Sequence, residues 1–116
     1  MAHQSVLTTA QVLESHSSAI DSGDLDRILA DYAPDAVLLT PDGAFRGHDR
    51  LRDFFRPFLQ WATEKHIWDD FEMIRQEISG EIAYIVWKSG SAVPLATDTF
   101  LIQRGKITAQ TFTVHR

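Results

Sequence analysis

Asp98 is a carboxylate where the sequence pattern calls for an apolar residue. It lies in the stretch Thr97-Asp98-Thr99-Phe100-Leu101-Ile102, which is typical of a β-strand. Because alternate side chains of a strand share a face, Asp98 is predicted to point the same way as Phe100 and Ile102. A carboxylate on an apolar face is unfavourable unless a partner or a cavity compensates. Two interpretations are open: Asp98 is the floor of a pocket, or it forms a salt bridge at the surface.

His16 is the second candidate for chemistry. It falls on the apolar stripe of a predicted first helix, whose other members are Val6, Ala10, Leu13 and Ile20. A lone histidine on such a stripe is typically a buried neutral imidazole that hydrogen-bonds to a backbone carbonyl. The other interpretation is an ionisable group that faces a cavity and exchanges protons near neutral pH.

Three further side chains combine an apolar body with a polar group. Tyr32 ends the stripe of a predicted second helix, and its hydroxyl is expected near a cavity or a polar partner, unless it is an ordinary core tyrosine. Trp87 ends an alternating apolar set and either lines a pocket or packs beneath a dimer interface. Gln110 lies between apolar neighbours and needs a partner if buried; Asp98 or a ligand would serve.

Composition and charge exclude several classes of function. The chain has 116 residues, which predicts a single domain over 1–116, and it has a net charge of −5 with scattered basic residues. No basic stripe is present, so nucleic-acid binding is not expected. The absence of cysteine excludes disulfides and thiolate chemistry. Residues 1–5 do not resemble a signal peptide and the longest apolar run, 82–87, is too short to span a bilayer, so a cytoplasmic protein is expected.

No cofactor is predicted. The histidines show no pair at helical or strand ligand spacing, so no metal site is expected; they are His3, His16, His48, His66 and His115. Nucleophile elbows, phosphate loops and dinucleotide glycine fingerprints are also absent from the sequence.

The order of elements predicts an α+β domain. The first helix ends at Ser22-Gly23-Asp24, and the second stops at Ala33-Pro34. A short hairpin over 37–46 precedes a third helix, which opens at 47–49, contains Phe54, Phe55 and Phe58, and is kinked or tightened at Pro57. Four strands follow, near 65–78, 81–89, 94–104 and 106–115, with a bulge or strong curvature over 68–71. Helices on one face of a curved antiparallel sheet leave a cone with a mouth.

Four segments resemble the nuclear transport factor 2-like superfamily, in its ketosteroid-isomerase and SnoaL-like polyketide-cyclase branch. They are Ala19–Asp26, Tyr32–Val37, Phe45-Arg46-Gly47, and Asp98-Thr99-Phe100 leading to Gly105-Lys106-Ile107. The resemblance implies a cone-shaped curved sheet wrapped around three N-terminal helices, a cystatin-like roll, and a homodimer that uses the convex face. It also implies an apolar pocket, but no one reaction, because the superfamily includes isomerases, cyclases, hydrolases and binding proteins.

Residue by residue, the resemblance implies an incomplete isomerase site. Asp98 matches the strand aspartic acid of the ketosteroid-isomerase oxyanion hole, and His16 stands at the position of its helix-one tyrosine. The proton-shuttling aspartate position falls on Thr40. Asp98 and His16 are therefore the predicted catalytic pair, although a carboxylate paired with His16 ionises whereas an isolated one stays neutral. The predicted substrate-binding residues are Tyr32, Thr40, Phe54, Phe58, Trp87, Phe100, Gln110 and Phe112.

Two functional hypotheses follow. The first is a cofactor-independent isomerase, cyclase or lyase that acts on a small hydrophobic carbonyl compound. The second is a non-catalytic ligand-binding or scaffold protein that keeps the pocket. The absence of the family base favours the second, and two ionisable groups in one apolar cavity favour the first.

Overall fold

Three helices and a six-stranded sheet make up residues 6–115, the part of the chain that this computed structural model describes. In chain order the elements are α1 (Thr9–Ser22), α2 (Leu25–Leu29), β1 (Tyr32–Thr40), β2 (Gly43–Arg46), α3 (Gly47–Glu64), β3 (Phe71–Ser79), β4 (Ile82–Ser89), β5 (Val93–Gln103) and β6 (Lys106–His115). This order confirms the predicted α+β arrangement. The expectations for residues 1–5, His3 among them, lie outside the described residues.

Local capping sets the bounds of the first helix. Thr8 and Gln11 form a capping box, so α1 begins at Thr9. Val6 therefore precedes the helix and is largely exposed, so the prediction that it lies on the helical stripe is wrong. Gly23 ends α1 with a φ of +70°, and Asp24 caps α2 through the backbone N–H of Arg27, as predicted.

The predicted extent of the second helix is wrong. The helix ends at Leu29, and Tyr32 begins a strand instead of ending a helical stripe. The backbone N–H of Ile107 donates to the carbonyl of Asp31 at 2.8 Å, and Tyr32 pairs with Ile107 across the sheet. Pairing with a distant strand thus overrides the helical spacing of the apolar residues in this segment.

The third strand also begins later than predicted. Residues 65–70 form a turn in which Lys65 and Ile67 donate backbone hydrogen bonds to the end of α3, and His66 has a φ of +54°. The strand pairing begins at Phe71, and its irregularity lies between Met73 and Arg75, not over 68–71. The helix itself continues through Pro57 to Glu64.

The sheet has the strand order β2-β1-β6-β5-β4-β3, and only the β1–β6 pairing is parallel among the pairings in residues 6–115. Its concave face carries the buried residues of β4 and β5, and α3 packs on β1 and β2 while α1 lies against β4 and β5. Every residue of β3 is exposed. The sheet is therefore open on its β3 side, beside α1. In residues 6–115, no helix is both long and apolar enough to cross a membrane.

Candidate functional site: a buried carboxyl in an aromatic cavity

Asp98 lies on the concave face of β5, as the alternation predicts. Its side chain is buried, with 6% exposure, and Ala96, Phe100 and Ile102 of the same face are buried too. The alternative interpretation, a surface salt bridge, is wrong. Lys88, one surface base that could have paired with it, instead pairs with Glu72 at 3.5 Å.

Two fixed donors hold the Asp98 carboxyl. The indole Nε1 of Trp87 donates to Oδ1 at 2.9 Å, and Nε2 of Gln110 donates to Oδ2 at 3.0 Å. The Tyr32 hydroxyl in turn donates to Oε1 of Gln110. These four side chains form a chain of hydrogen bonds across β1, β6, β5 and β4, and it orients the carboxyl relative to the rigid sheet.

Burial dominates the ionisation of this network. Loss of solvation raises the pKa of Asp98 from 3.8 to about 7, although the hydrogen bonds from Trp87 and Gln110 act in the opposite direction. Burial, together with the charges of Asp98 and Asp31, raises the pKa of Tyr32 well above its ordinary value. At neutral pH, Tyr32 is therefore a neutral hydrogen-bond donor, while Asp98 is divided between its two protonation states.

His16 lies near this network but is not bonded to Asp98. No hydrogen bond or ion pair joins the two side chains. The imidazole packs edge-on against the rings of Phe100 and Tyr32, at centroid distances of 5.2 and 5.9 Å, and its Nδ1 is buried without a partner. Burial lowers the pKa of His16 to about 4, so the ring is neutral at pH 7. The predicted bond from the ring to a backbone carbonyl is absent at Nδ1.

Asp98 and His16 both face a cavity of about 480 Å³ between α1, α3 and the concave sheet. Most of its wall is apolar, and phenylalanine and tryptophan rings supply much of it. The rings of Trp87 and Phe112 are nearly parallel, at 8°, and Phe54 stacks on Phe58 at 18°. The other lining residues are Glu14, Ser17, Ser18, Ile20, Asp21, Phe55, Trp68, Phe71, Met73, Ile85 and Gln110.

Three of the predicted substrate-binding residues do not line this cavity. Tyr32 lies behind Gln110, which separates its hydroxyl from Asp98. Phe100 is fully buried beneath His16. Thr40 lines a separate, smaller cavity beside the turn between β1 and β2, because it stands at the end of β1, away from the centre of the concave face.

Several lining residues were missed by the sequence reasoning. Ile85 is two residues before Trp87 on the same strand face, so alternation could have identified it. Glu14 and Asp21 are seven residues apart on one helix face, and their position beside His16 could have been recognised in the same way. Trp68 and Phe71 could not, since Trp68 lies in the turn over 65–70, which has no periodic pattern, and Phe71 is the first residue after that turn.

Metal-ligand residues are not clustered in the described part of the chain. Within residues 6–115 no group of three or more histidine, aspartate or glutamate side chains could hold a metal ion together.

A curved sheet that encloses a cavity against three helices defines the nuclear transport factor 2-like fold class. A family model for the SnoaL-like domain matches residues 13–110, and the chain therefore belongs to that family. A search of curated proteins found no match.

Solved structures share the fold at low identity. A SnoaL-like protein of unknown function from Burkholderia thailandensis E264 is 19% identical, with a TM-score of 0.74 over 93% of this chain and 95% of that one. A nuclear transport factor 2-like protein of unknown function from Cytophaga hutchinsonii is 13% identical, with a TM-score of 0.71 over 97% and 92%. A candidate polyketide cyclase from Sinorhizobium meliloti is 20% identical, with a TM-score of 0.68 over 87% and 92%. These similarities establish the fold.

Proposed function

We propose that the protein binds a small hydrophobic molecule in this cavity, with Asp98 as the polar contact. One observation carries the proposal: an oriented, buried carboxyl faces an otherwise largely apolar space of about 480 Å³. Cavities of this size, with apolar walls and few convergent polar groups, are typical of small-molecule sites.

Binding is supported more strongly than catalysis. His16 is neutral at pH 7 and is not bonded to Asp98, so the two do not form a coupled acid/base pair. Thr40, at the position of the family base, lies outside the main cavity. Both oxygens of Asp98 accept hydrogen bonds from fixed donors, an arrangement that suits recognition of a ligand.

A pair of neighbouring substitutions tests the site. Met73 lines the cavity and is partly exposed, so Met73→Trp is expected to narrow it, whereas Ile74 is exposed and does not line it. Hydrophobic small molecules that raise the melting temperature of the wild type should lose their effect in Met73→Trp and keep it in Ile74→Trp. Ligands that stabilise both variants equally would show that binding occurs elsewhere.

Catalysis is the second candidate, because the pKa of Asp98 is raised to about 7. A carboxyl that titrates near neutral pH can act as a general acid or base. The reaction would be a cofactor-independent isomerisation, cyclisation or lyase step on a hydrophobic carbonyl compound. The test is hydrogen–deuterium exchange at the carbon next to the carbonyl of 2-tetralone in D₂O, followed by NMR. Wild type should accelerate exchange and Asp98→Asn should not; equal rates in both would exclude this role.

The homodimer and the cytoplasmic location remain proposals. The convex sheet face, opposite the cavity, carries exposed apolar side chains such as Leu39, Ile82 and Leu95, which support a contact with a second copy.

A further inference from the structure

We propose that the cavity selects hydrophobic amines in their protonated form, a ring system with one ammonium group, and rejects carboxylates. The inference depends on the proposed function, since it names the chemical class of the ligand for the same cavity.

The charged side chains that line the cavity are all acidic. Asp98 lies at its floor, and Glu14 and Asp21 are exposed lining residues on α1. No lysine or arginine is among the lining residues of this cavity in the described part of the chain. A bound carboxylate would face like charges without a counter-ion, whereas an ammonium group would be neutralised. The net charge of −5 acts in the same direction during approach.

The aromatic rings add a second preference for a cation. Phe112 is the cross-strand neighbour of Asp98 and lines the cavity, so its ring lies close to a cation bound at this carboxylate, whereas Trp87 directs its N–H edge there. Ring faces attract cations within about 6 Å, so Phe112 favours a cation at this position. Phe54 and Phe58 supply flat apolar surface for the hydrophobic part of the ligand.

The hydrogen bonds on Asp98 favour a ligand that donates. Trp87 and Gln110 each direct an N–H at one carboxyl oxygen, which stabilises the ionised form. Each oxygen retains a lone pair for a ligand N–H. A ketone would instead require the proton of neutral Asp98, on an oxygen that already accepts a hydrogen bond. An ammonium group can donate to the ionised carboxylate while both hydrogen bonds from Trp87 and Gln110 stay in place.

Three probes of matched shape test the inference by calorimetry: 2-naphthylmethylamine, 2-naphthalenemethanol and 2-naphthoate. We expect the amine to bind wild type at least tenfold more tightly than the alcohol, and the carboxylate not to bind. Asp98→Asn should weaken the amine at least tenfold and change the alcohol less than threefold. Asp35→Asn, which removes one negative charge from an exposed position on β1, should change neither.

The pH dependence provides an independent readout. The titratable groups that face Asp98 are Tyr32, through Gln110, and His16, Glu14 and Asp21 in the cavity wall. The ionised fraction of a carboxyl with a pKa near 7 rises about tenfold between pH 6 and pH 8, so the affinity of the amine should rise by about the same factor. In Asp98→Asn this rise should be absent.

The outcomes separate the two proposals. Binding of the alcohol or the carboxylate as tight as that of the amine overturns the selection of cations but leaves the cavity as a ligand site. Binding of none of the three overturns both proposals. An amine that binds wild type and Asp98→Asn equally overturns the role of the carboxylate.

Discussion

Replacing Asp98 with asparagine should stabilise the protein at alkaline pH and not at acid pH. The pKa of Asp98 rises from 3.8 to about 7 on folding, chiefly through burial. Between these values the folded protein holds a proton that the unfolded chain releases, so the stability of wild type falls as the pH rises. A pKa shift of about 3 units, at ~1.36 kcal/mol each, lowers the free energy of unfolding of wild type by roughly 4 kcal/mol, and the full loss is reached above pH 7. Asparagine cannot ionise and avoids this loss.

The Asp98→Asn variant can keep the hydrogen bonds of the network. The side-chain oxygen of the introduced asparagine would accept from Trp87, and its amide nitrogen would donate to Gln110 after the Gln110 amide turns over. The turned amide would then donate to the Tyr32 hydroxyl oxygen, which can accept as well as donate. We therefore expect little loss of packing, and the pH-dependent term should dominate the difference.

Urea unfolding of wild type, Asp98→Asn and the control Asp35→Asn between pH 4 and pH 8.5 measures this effect. The free energy of unfolding of Asp98→Asn minus that of wild type should grow by roughly 4 kcal/mol across the range. Asp35→Asn should follow wild type. A difference that stays constant with pH, or that shrinks as the pH rises, would refute the argument from burial. If Asp98→Asn fails to fold, the carboxyl ¹³C shift of Asp98 in wild type reports its pKa directly, and a value near 4 would refute it equally.

Three further predictions concern the neighbours of Asp98 and the sheet face. The pKa of His16 is lowered from 6.5 to about 4, so its contribution to stability is lost as the pH falls between these values. In urea unfolding, the free energy of unfolding of His16→Leu relative to wild type should therefore rise by roughly 3 kcal/mol from pH 6.5 to pH 4. A difference between the two proteins that stays constant with pH would contradict this. Tyr32→Phe leaves the buried Oε1 of Gln110 without its donor and should lose about 1–3 kcal/mol at pH 7, and a negligible loss would show that the bond contributes nothing. Ile82→Asp on the convex face should convert the expected dimer to a monomer in light scattering with unchanged circular dichroism, and a monomeric wild type would end the dimer prediction.

Asp98 and His16 change the free energy of unfolding in opposite directions as the pH rises, so single variants are more informative than wild type. Between about pH 4 and pH 6.5, the first group destabilises the protein as pH rises and the second stabilises it. Their contributions largely cancel in wild type, so its own pH profile should be nearly flat with respect to these two groups. When one of the two residues is replaced, the pH dependence of the free energy of unfolding reports the contribution of the other.

Sequence reasoning succeeded where a local rule fixes the outcome. Alternation placed Asp98 on the same face as Phe100 and Ile102, and capping chemistry located the junction between α1 and α2 at Gly23 and Asp24. It failed for Tyr32 and the turn over 65–70. Tyr32 is held by pairing with β6, which is distant in the sequence, whereas the turn is closed by local hydrogen bonds to the end of α3 around His66, a residue type that does not signal its positive φ.

The sequence by itself determined that a carboxylate and a histidine would lie on the apolar faces of a strand and a helix, because side-chain periods of 2 and 3.6 are properties of the local backbone. Only the tertiary structure decided what each group contacts. It gave the carboxyl the indole of Trp87 and the amide of Gln110, left the imidazole Nδ1 of His16 unpaired, and placed both groups in one aromatic cavity. Partners and solvation depend on how separate elements pack together, and they set the pKa values on which recognition or catalysis at this site would depend.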